Sequence, residues 1–173
     1  MKLYNIKNEY IDYLREYDKK VAHNKNEKRP YVGFVIEYNE CNYYVPFSSP
    51  KTKHKKMKNG IDFRKIKNGD LGAINFNNMI PVDTSALIPI DFNNIEDEKY
   101  KNLLIDQLSF IDKDEVNIKK TAYNLRNIFN KNEDERTSVE KAVIERSCDL
   151  ILLEEKCKEY SSGEPVFNPK SRR

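Results

Sequence analysis

"YVGFVIEYNECNYYVPF", residues 31–47, is the stretch on which the fold turns. Two runs rich in Val, Ile, Tyr and Phe flank Asn39-Glu40-Cys41. β-Branched and aromatic side chains favour the pleated backbone, and a short polar link between two such runs reads as a β-hairpin. Pro46 has no N–H to give a ladder, which predicts a sheet edge or a strand end at that point.

Working outward, "KLYNI" at 2–6 alternates and reads as a strand. "EYIDYLREYDKKV" places Tyr10, Tyr13, Leu14 and Tyr17 on one helical face. Beyond the hairpin, "IDFRKI", "LGAINF" and "MIPV" are three short strands, separated by Asn68-Gly69-Asp70 and Asn77-Asn78. After about residue 92 the period lengthens. Tyr100, Leu103, Leu104, Leu108 and Ile111 share a face, as do Ile118, Ala122, Leu125 and Phe129. A last helix opens at Thr137 or Ser138, with Glu140 three residues after Thr137 as in a capping box. Val139, Val143, Leu150, Leu153 and Cys157 then run down one side. Strands first and helices after predict a single α+β domain over residues 1–160, followed by a loose tail at 161–173.

Several function classes fall away. Cys41, Cys148 and Cys157 form no CxxC pair, so neither a zinc site nor a disulfide framework is indicated. No GxxxxGK[ST] loop and no HExxH occurs, so no nucleotide-triphosphate site, metal site or cofactor is expected. The first residues lack a signal-peptide h-region, and no apolar run approaches the roughly 20 residues that span a bilayer. The chain reads as soluble and cytoplasmic.

The charge pattern is more informative than the net charge of +3. "SSPKTKHKKMK", residues 48–58, follows the hairpin directly, and from Lys51 to Lys67 eight basic residues stand against Asp62 alone. Lysine runs are often merely solvated surface. Here Tyr43, Tyr44 and Phe47 precede the run and Phe63 follows it. Cations for phosphates beside rings for bases are the composition of a single-strand RNA surface. Lys53, Lys55, Lys56, Lys58, Arg64 and Lys65 are its candidate backbone contacts, and Phe63, Tyr10 and Tyr31 its candidate aromatics. RNA also carries its own nucleophile, the 2′-hydroxyl. Cutting it requires a proton acceptor, cations for the phosphorane and a donor to the 5′ oxygen. Ser48, Ser49, Lys51 and His54 supply such groups within seven positions. Lysines around His54 lower its pKa and favour the neutral ring of a general base, the alternative being an ordinary solvated histidine. A catalytic ribonuclease and a non-catalytic RNA-binding module both fit this surface. A DNA-binding regulator fits less well, because no helix-turn-helix pattern presents a basic helix.

The chain resembles the ToxN/AbiQ family of endoribonuclease toxins from type III toxin–antitoxin and abortive-infection systems. The resemblance is carried by "KLYNIKNEYIDYLREYD", by "RPYVGFVIEYNECNYYVPFSSPKTKH" with its Ser49-Pro50-Lys51 element, by "GAINFNNMIPV", and by "YKNLLIDQLSFI", "LRN" and "CDLILLEEKCKEY", in the same order along nearly the whole chain. It implies an SH3-like, MazF/Kid-like β-barrel core decorated by an N-terminal helix and C-terminal helices. It implies metal-independent cleavage at adenine-rich sites, leaving 2′,3′-cyclic phosphate and 5′-hydroxyl ends. The implied partners are substrate RNA and a small pseudoknot antitoxin RNA, which the toxin cuts from its own precursor, in a closed toxin–RNA hetero-oligomer and with no membrane. Carried over by position, Ser49 matches the catalytic serine, Lys51 the phosphate-binding lysine, and Ser48 a neighbouring hydroxyl. Arg29 matches a cation ahead of the hairpin, and His54 also stands at a family position. A tyrosine that some relatives carry ahead of the hairpin has no counterpart between Val21 and Pro30; Tyr10 and Tyr31 are the candidates to replace it.

Overall fold

The computed structural model describes residues 1–163, so the expected tail lies, from residue 164 on, outside the described residues. The hairpin forms β2 (Tyr31–Tyr38) and β3 (Cys41–Ser48). Its turn is tighter than the sequence suggests. Asn39 and Glu40, at φ 48° and 62°, make the whole connection, and Cys41 already pairs with Tyr38. Two left-handed residues in succession match the twist of the flanking strands.

β1 (Lys2–Ile6) adds to β2 on one side. β3 changes partner on the other. Its Tyr43–Tyr44 pair with β6 (Ile80–Pro81), and its Phe47–Ser48 pair with β5 (Ala73–Asn75). Pro46 therefore sits within a central strand rather than at an edge. The N–H of Phe47 donates to Pro30 O at 3.2 Å on the β2 side. Alternation turns the imide nitrogen of Pro46 to the other side, where β6 has ended and β5 has not begun, so no ladder bond is lost. β4 (Phe63–Lys65) closes one end of the sheet beyond β5. β7 (Leu87–Pro89), which has no alternation long enough to reveal it, closes the other beyond β1.

The strand order is β4-β5-β3-β2-β1-β7, all antiparallel, with β6 also on β3. The end strands β4 and β7 do not pair. This corrects the barrel expectation: the α+β class stands, but the sheet is open. Closing a barrel takes strands long enough to tilt and stagger around an axis. β4 to β7 have only two or three residues each, with 3-10 turns between them. Pro89 ends the β7 edge, and the Arg64–Asp114 ion pair covers the β4 edge with the junction between two helices.

The helices are α1 (Asn8–Tyr17), α2 (Thr52–Lys56), α3 (Glu98–Lys113), α4 (Glu115–Ile128), α5 (Ser138–Arg146) and α6 (Leu150–Ser162). The tyrosine stripe of α1 packs on α6: Tyr10 and Tyr13 lie 4.8 and 5.2 Å from the Tyr160 ring. The capping box of Thr137 and Glu140 forms as the spacing predicts. The single helix expected after it is broken in two. Cys148 N–H donates to Asn77 O at 2.9 Å, and Asp149 N–H to Asp18 Oδ2 at 2.7 Å. Asp149 then caps α6 by accepting from Leu152 N–H. These bonds turn the chain, so Val143, Leu150, Leu153 and Cys157 are buried while Val139 is left 59% exposed.

One buried ion pair locks the helices to the hairpin. Arg126 of α4 donates from Nε and Nη2 to the two carboxylate oxygens of Glu154 in α6, at 2.6 and 2.8 Å. Asn39 of the turn donates to Glu154 at 2.9 Å, the Tyr43 hydroxyl also donates to it, and the guanidinium lies 4.4 Å from the Tyr38 ring centre. Burial alone pushes the Glu154 carboxyl up; hydrogen bonds from Arg126, Tyr43 and Asn39 outweigh it and hold the pKa below the ordinary value. Removing one partner leaves the other charge buried and unpaired. Glu154→Ala is expected to cost about 3–5 kcal/mol in chemical denaturation, with much of that recovered in the double variant Arg126→Met/Glu154→Leu.

Candidate active site

The site is built at the corner where β3 runs into α2. Ser48, the last residue of β3, faces Ala73 of β5, with its hydroxyl 3.5 Å from Ala73 O. Such close approach requires Gly72, which has φ +101° and whose Cβ, if present, would lie 1.9 Å from Ser48 O. Ser49 and Pro50 follow on the surface, and Lys51 is still extended at φ −138°. The expected lysine loop is instead the short helix α2, which begins with a bond from His54 N–H to Lys51 O at 2.9 Å. Gly69, at φ +94°, lets a turn pack under it; a Cβ there would come within 2.8 Å of the His54 carbonyl carbon.

Beside this corner lies a cleft of about 870 Å³. Its lining includes Ser48, Ser49 and Lys51, together with Lys25, Lys28 and Arg29 from the segment before β2. That segment is folded back by three consecutive left-handed residues, Lys25, Asn26 and Glu27, at φ 54°, 56° and 60°. Each non-glycine residue in that region costs about 1–2 kcal/mol. Compensating bonds hold the turn. Glu27 accepts from Asn8 N–H at 2.9 Å, and the Asn24 amide donates to Ile6 O at 2.6 Å. Arg29 is anchored through Nε to His23 O at 2.7 Å, and its terminal nitrogens have no protein partner among the described residues. The Ser49 hydroxyl likewise has none. The cleft therefore holds free cationic donors and a free hydroxyl.

The structure gathers Ser48, Ser49, Lys51 and Arg29 but not the other candidates. His54, within α2, is buried, with its ring 5.9 Å from that of Phe63, and it lines a separate cavity rather than this cleft. Its pKa is lowered as the sequence suggests, although burial is the larger cause and Lys51 and Lys53 come second. Tyr10 is fully buried and donates to Pro81 O at 2.8 Å. Tyr31 is equally buried, with a hydroxyl that has no partner. Neither lines the cleft. Both are core residues, because the face of α1 and the start of β2 that carry them pack inward.

Of the basic tract, Arg64 is committed to Asp114 and Lys55 to Asp70. Lys51, Lys53, Lys56, Lys58 and Lys65 make no salt bridge among the described residues. Asp62, the tract's single acid, is held by Arg146 at 2.6 and 2.9 Å and does not offset them. Phe63 is half-buried beside Lys53. The rest of the cleft's lining was not anticipated from sequence. It includes Asn5, the segment Pro89–Asp91, Asn94–Glu96, and Tyr100, Leu104 and Gln107 of α3. No local pattern marks these residues; only the docking of β7 and α3 brings them to the site. Among the described residues, no group of three His, Cys, Asp or Glu side chains is placed to hold a metal ion.

Residues 2–158 match the family model for Toxin ToxN of type III toxin–antitoxin systems. The chain is 31% identical over 170 residues to Endoribonuclease ToxN of Pectobacterium atrosepticum, covering 92% of this chain and 94% of that protein. It superposes with TM-score 0.81 and 32% identity on a bacterial type III toxin inhibited by a non-coding RNA pseudoknot, covering 92% of this chain and 97% of the other. The lactococcal anti-phage endoribonuclease AbiQ superposes with TM-score 0.78 and 26% identity, covering 93% and 98%.

Two outcomes follow from the geometry. Gly72→Ala is expected to lower the melting temperature by several degrees and to remove activity out of proportion to that loss, because the Cβ must push the Ser48 backbone aside. His54 has a folded pKa below its unfolded value of about 6.5. The folded state then binds fewer protons, so its contribution to stability is complete above that pH and is lost as pH falls towards the folded pKa. Melting temperatures measured between pH 7.5 and 5.5 should fall with acid, and the slope should flatten in His54→Phe.

Proposed function

This chain belongs to the ToxN family of type III toxin–antitoxin systems, and we propose that it cuts RNA in the cleft beside the β3–α2 corner. It is an endoribonuclease toxin. The observation that carries the site is the convergence of a free serine hydroxyl, Ser49, with Lys51 and Arg29 in the lining of one large cleft. In the reaction the ribose 2′ oxygen attacks the adjacent phosphorus, the bond to the 5′ oxygen breaks, and a 2′,3′-cyclic phosphate is left. The proton lost by the 2′-hydroxyl is matched by one gained at the 5′ oxygen. The substrate brings its own nucleophile, so the chemistry calls for charge stabilisation and proton handling rather than a metal.

Lys51 and Arg29 neutralise the phosphorane. The unblocked terminal nitrogens of Arg29 suit two parallel bonds to its oxygens. Ser49 hydrogen-bonds to the reacting oxygens, and Ser48, already tied to β5, fixes its position. His54 acts through packing beneath α2 rather than by touching the substrate. Lys53, Lys56 and Lys58 extend the positive surface around α2, where a longer RNA finds further backbone contacts. A pseudoknot RNA antitoxin that fills the same cleft would block substrate by occupancy, in a closed assembly of alternating toxin and RNA that serves phage defence.

The test is RNA cleavage in excess EDTA, wild type against Ser49→Ala, with end-group analysis of the fragments. Wild type is expected to yield 2′,3′-cyclic phosphate ends, and Ser49→Ala to be slower by about 10²–10³-fold while still binding RNA. Equal rates would remove Ser49 from the chemistry and leave the cleft as a binding surface.

A further inference from the structure

α3 buries a polar residue within an otherwise apolar stripe. Leu104, Gln107 and Ile111 follow one another at helical spacing, and each is only 1% exposed. Burying an amide at such a position costs free energy unless it is hydrogen-bonded. The Gln107 Nε2 donates to Leu71 O at 2.6 Å, and that carbonyl has no other protein donor among the described residues. We propose that Gln107 is a positioning residue for RNA cleavage: it holds the turn before β5 against the backbone of Ser48 and Ser49, and so sets where the Ser49 hydroxyl stands relative to Lys51 and Arg29. This rests on the cleft being the cleavage site.

The turn itself is weakly held. Between β4 and β5, Lys67, Asn68, Gly69 and Gly72 all lie at positive φ, from 47° to 101°. Two of the four are glycines, the residues freest to leave that conformation. Inside the turn, Leu71 N–H reaches Ile66 O and Gly72 N–H reaches Gly69 O, both at 3.3 Å. The bond from Gln107 is much shorter, and its donor sits on a helix of 16 residues. A buried polar contact of this kind selects one arrangement of the backbone it ties down.

The two residues that follow Leu71 touch the serines directly. A Cβ on Gly72 would lie 1.9 Å from Ser48 O and 3.1 Å from the Ser49 carbonyl carbon. Ala73 pairs with Ser48 in the β3–β5 ladder, and the Ser48 hydroxyl lies 3.5 Å from Ala73 O. Ser49 stands one residue beyond that ladder, and its side chain makes no hydrogen bond among the described residues. Backbone packing against the turn is therefore what places it. Gln107 lines the same cleft as Ser48, Ser49, Lys51 and Arg29, so the brace lies at the site and not at a remote point of the fold. Without it the turn can relax and the hydroxyl can shift, and a displacement of about 1 Å costs on the order of a hundredfold in rate.

The experiment uses the full chain and a short RNA with one mapped cleavage site, and measures kcat, KM and melting temperature. Gln107→Met keeps the length of the side chain and removes the donor. Gln107→Asn keeps the amide but falls short of Leu71 O. Assayed well below its melting temperature, each folded variant is expected to lose about tenfold or more in kcat with KM within about twofold of wild type. Added to Ser49→Ala, Gln107→Met is expected to slow cleavage by less than about twofold further, because the group it positions is already gone. An unchanged kcat in a folded variant overturns the proposal, as does a raised KM at constant kcat, or losses that multiply in the double variant. Failure of both variants to fold also overturns it, since Gln107 then serves stability alone. Cleavage by Ser49→Ala as fast as wild type overturns the reading of the cleft itself, whatever the Gln107 variants do.

Discussion

The buried pair of Arg126 and Glu154 is the constraint from which the site follows. It joins α4 and α6, and it reaches the tip of the hairpin through Asn39 and Tyr43. A hairpin so clamped at its turn cannot slide, because a shift of one residue would reverse every side chain between core and surface. The far end of β3 is fixed by the same register, and Ser48 and Ser49 are that end. The proposed catalytic corner is thus held from the opposite pole of the sheet, which separates the groups that carry stability from those proposed to meet substrate.

The same separation runs through the charges. Arg126, Arg146 and Arg64 are each matched to a carboxylate and serve the fold. Lys51, most of α2 and the tip of Arg29 are unmatched and face solvent or the cleft. A protein that must hold a polyanion tolerates such repulsion because the charges are exposed, where water screens them. The strained turn at Lys25–Glu27 belongs to this arrangement. It directs Lys28 and Arg29 to the cleft at a conformational cost met by bonds to α1 and β1.

The open sheet serves the site as well. β3 exchanges β6 for β5 at Pro46, and the strands it gathers are too short to close around an axis. Beyond the β7 end the chain runs through Asp91 to Glu96 and, with Pro89, Ile90 and α3, contributes to the lining of the cleft. A closed barrel would have paired that edge along its outer side as well. Gly69 and Gly72 complete the corner, each admitting backbone where a side chain would collide.

Much of this was legible in the residues. The hairpin, β1, the amphipathic helices and the Thr137 cap all follow from short-range periodicity and capping chemistry, which act within a few positions. Ser48, Ser49 and Lys51 were readable because they are neighbours in the chain as well as in space. Other features depended on distant contacts. The break at Cys148 is made by bonds to Asn77 and Asp18, and the burial of Tyr10, Tyr31 and His54 reflects what packs over them. The short edge strands carry too few residues to show a period. The cleft joins Asn5 to residues more than eighty positions away. Local pattern determined which elements form and where the candidate serines stand. Tertiary packing decided whether the sheet closes, which rings are buried and what faces those serines, because these depend on the free energy of surfaces that meet only once the chain has folded.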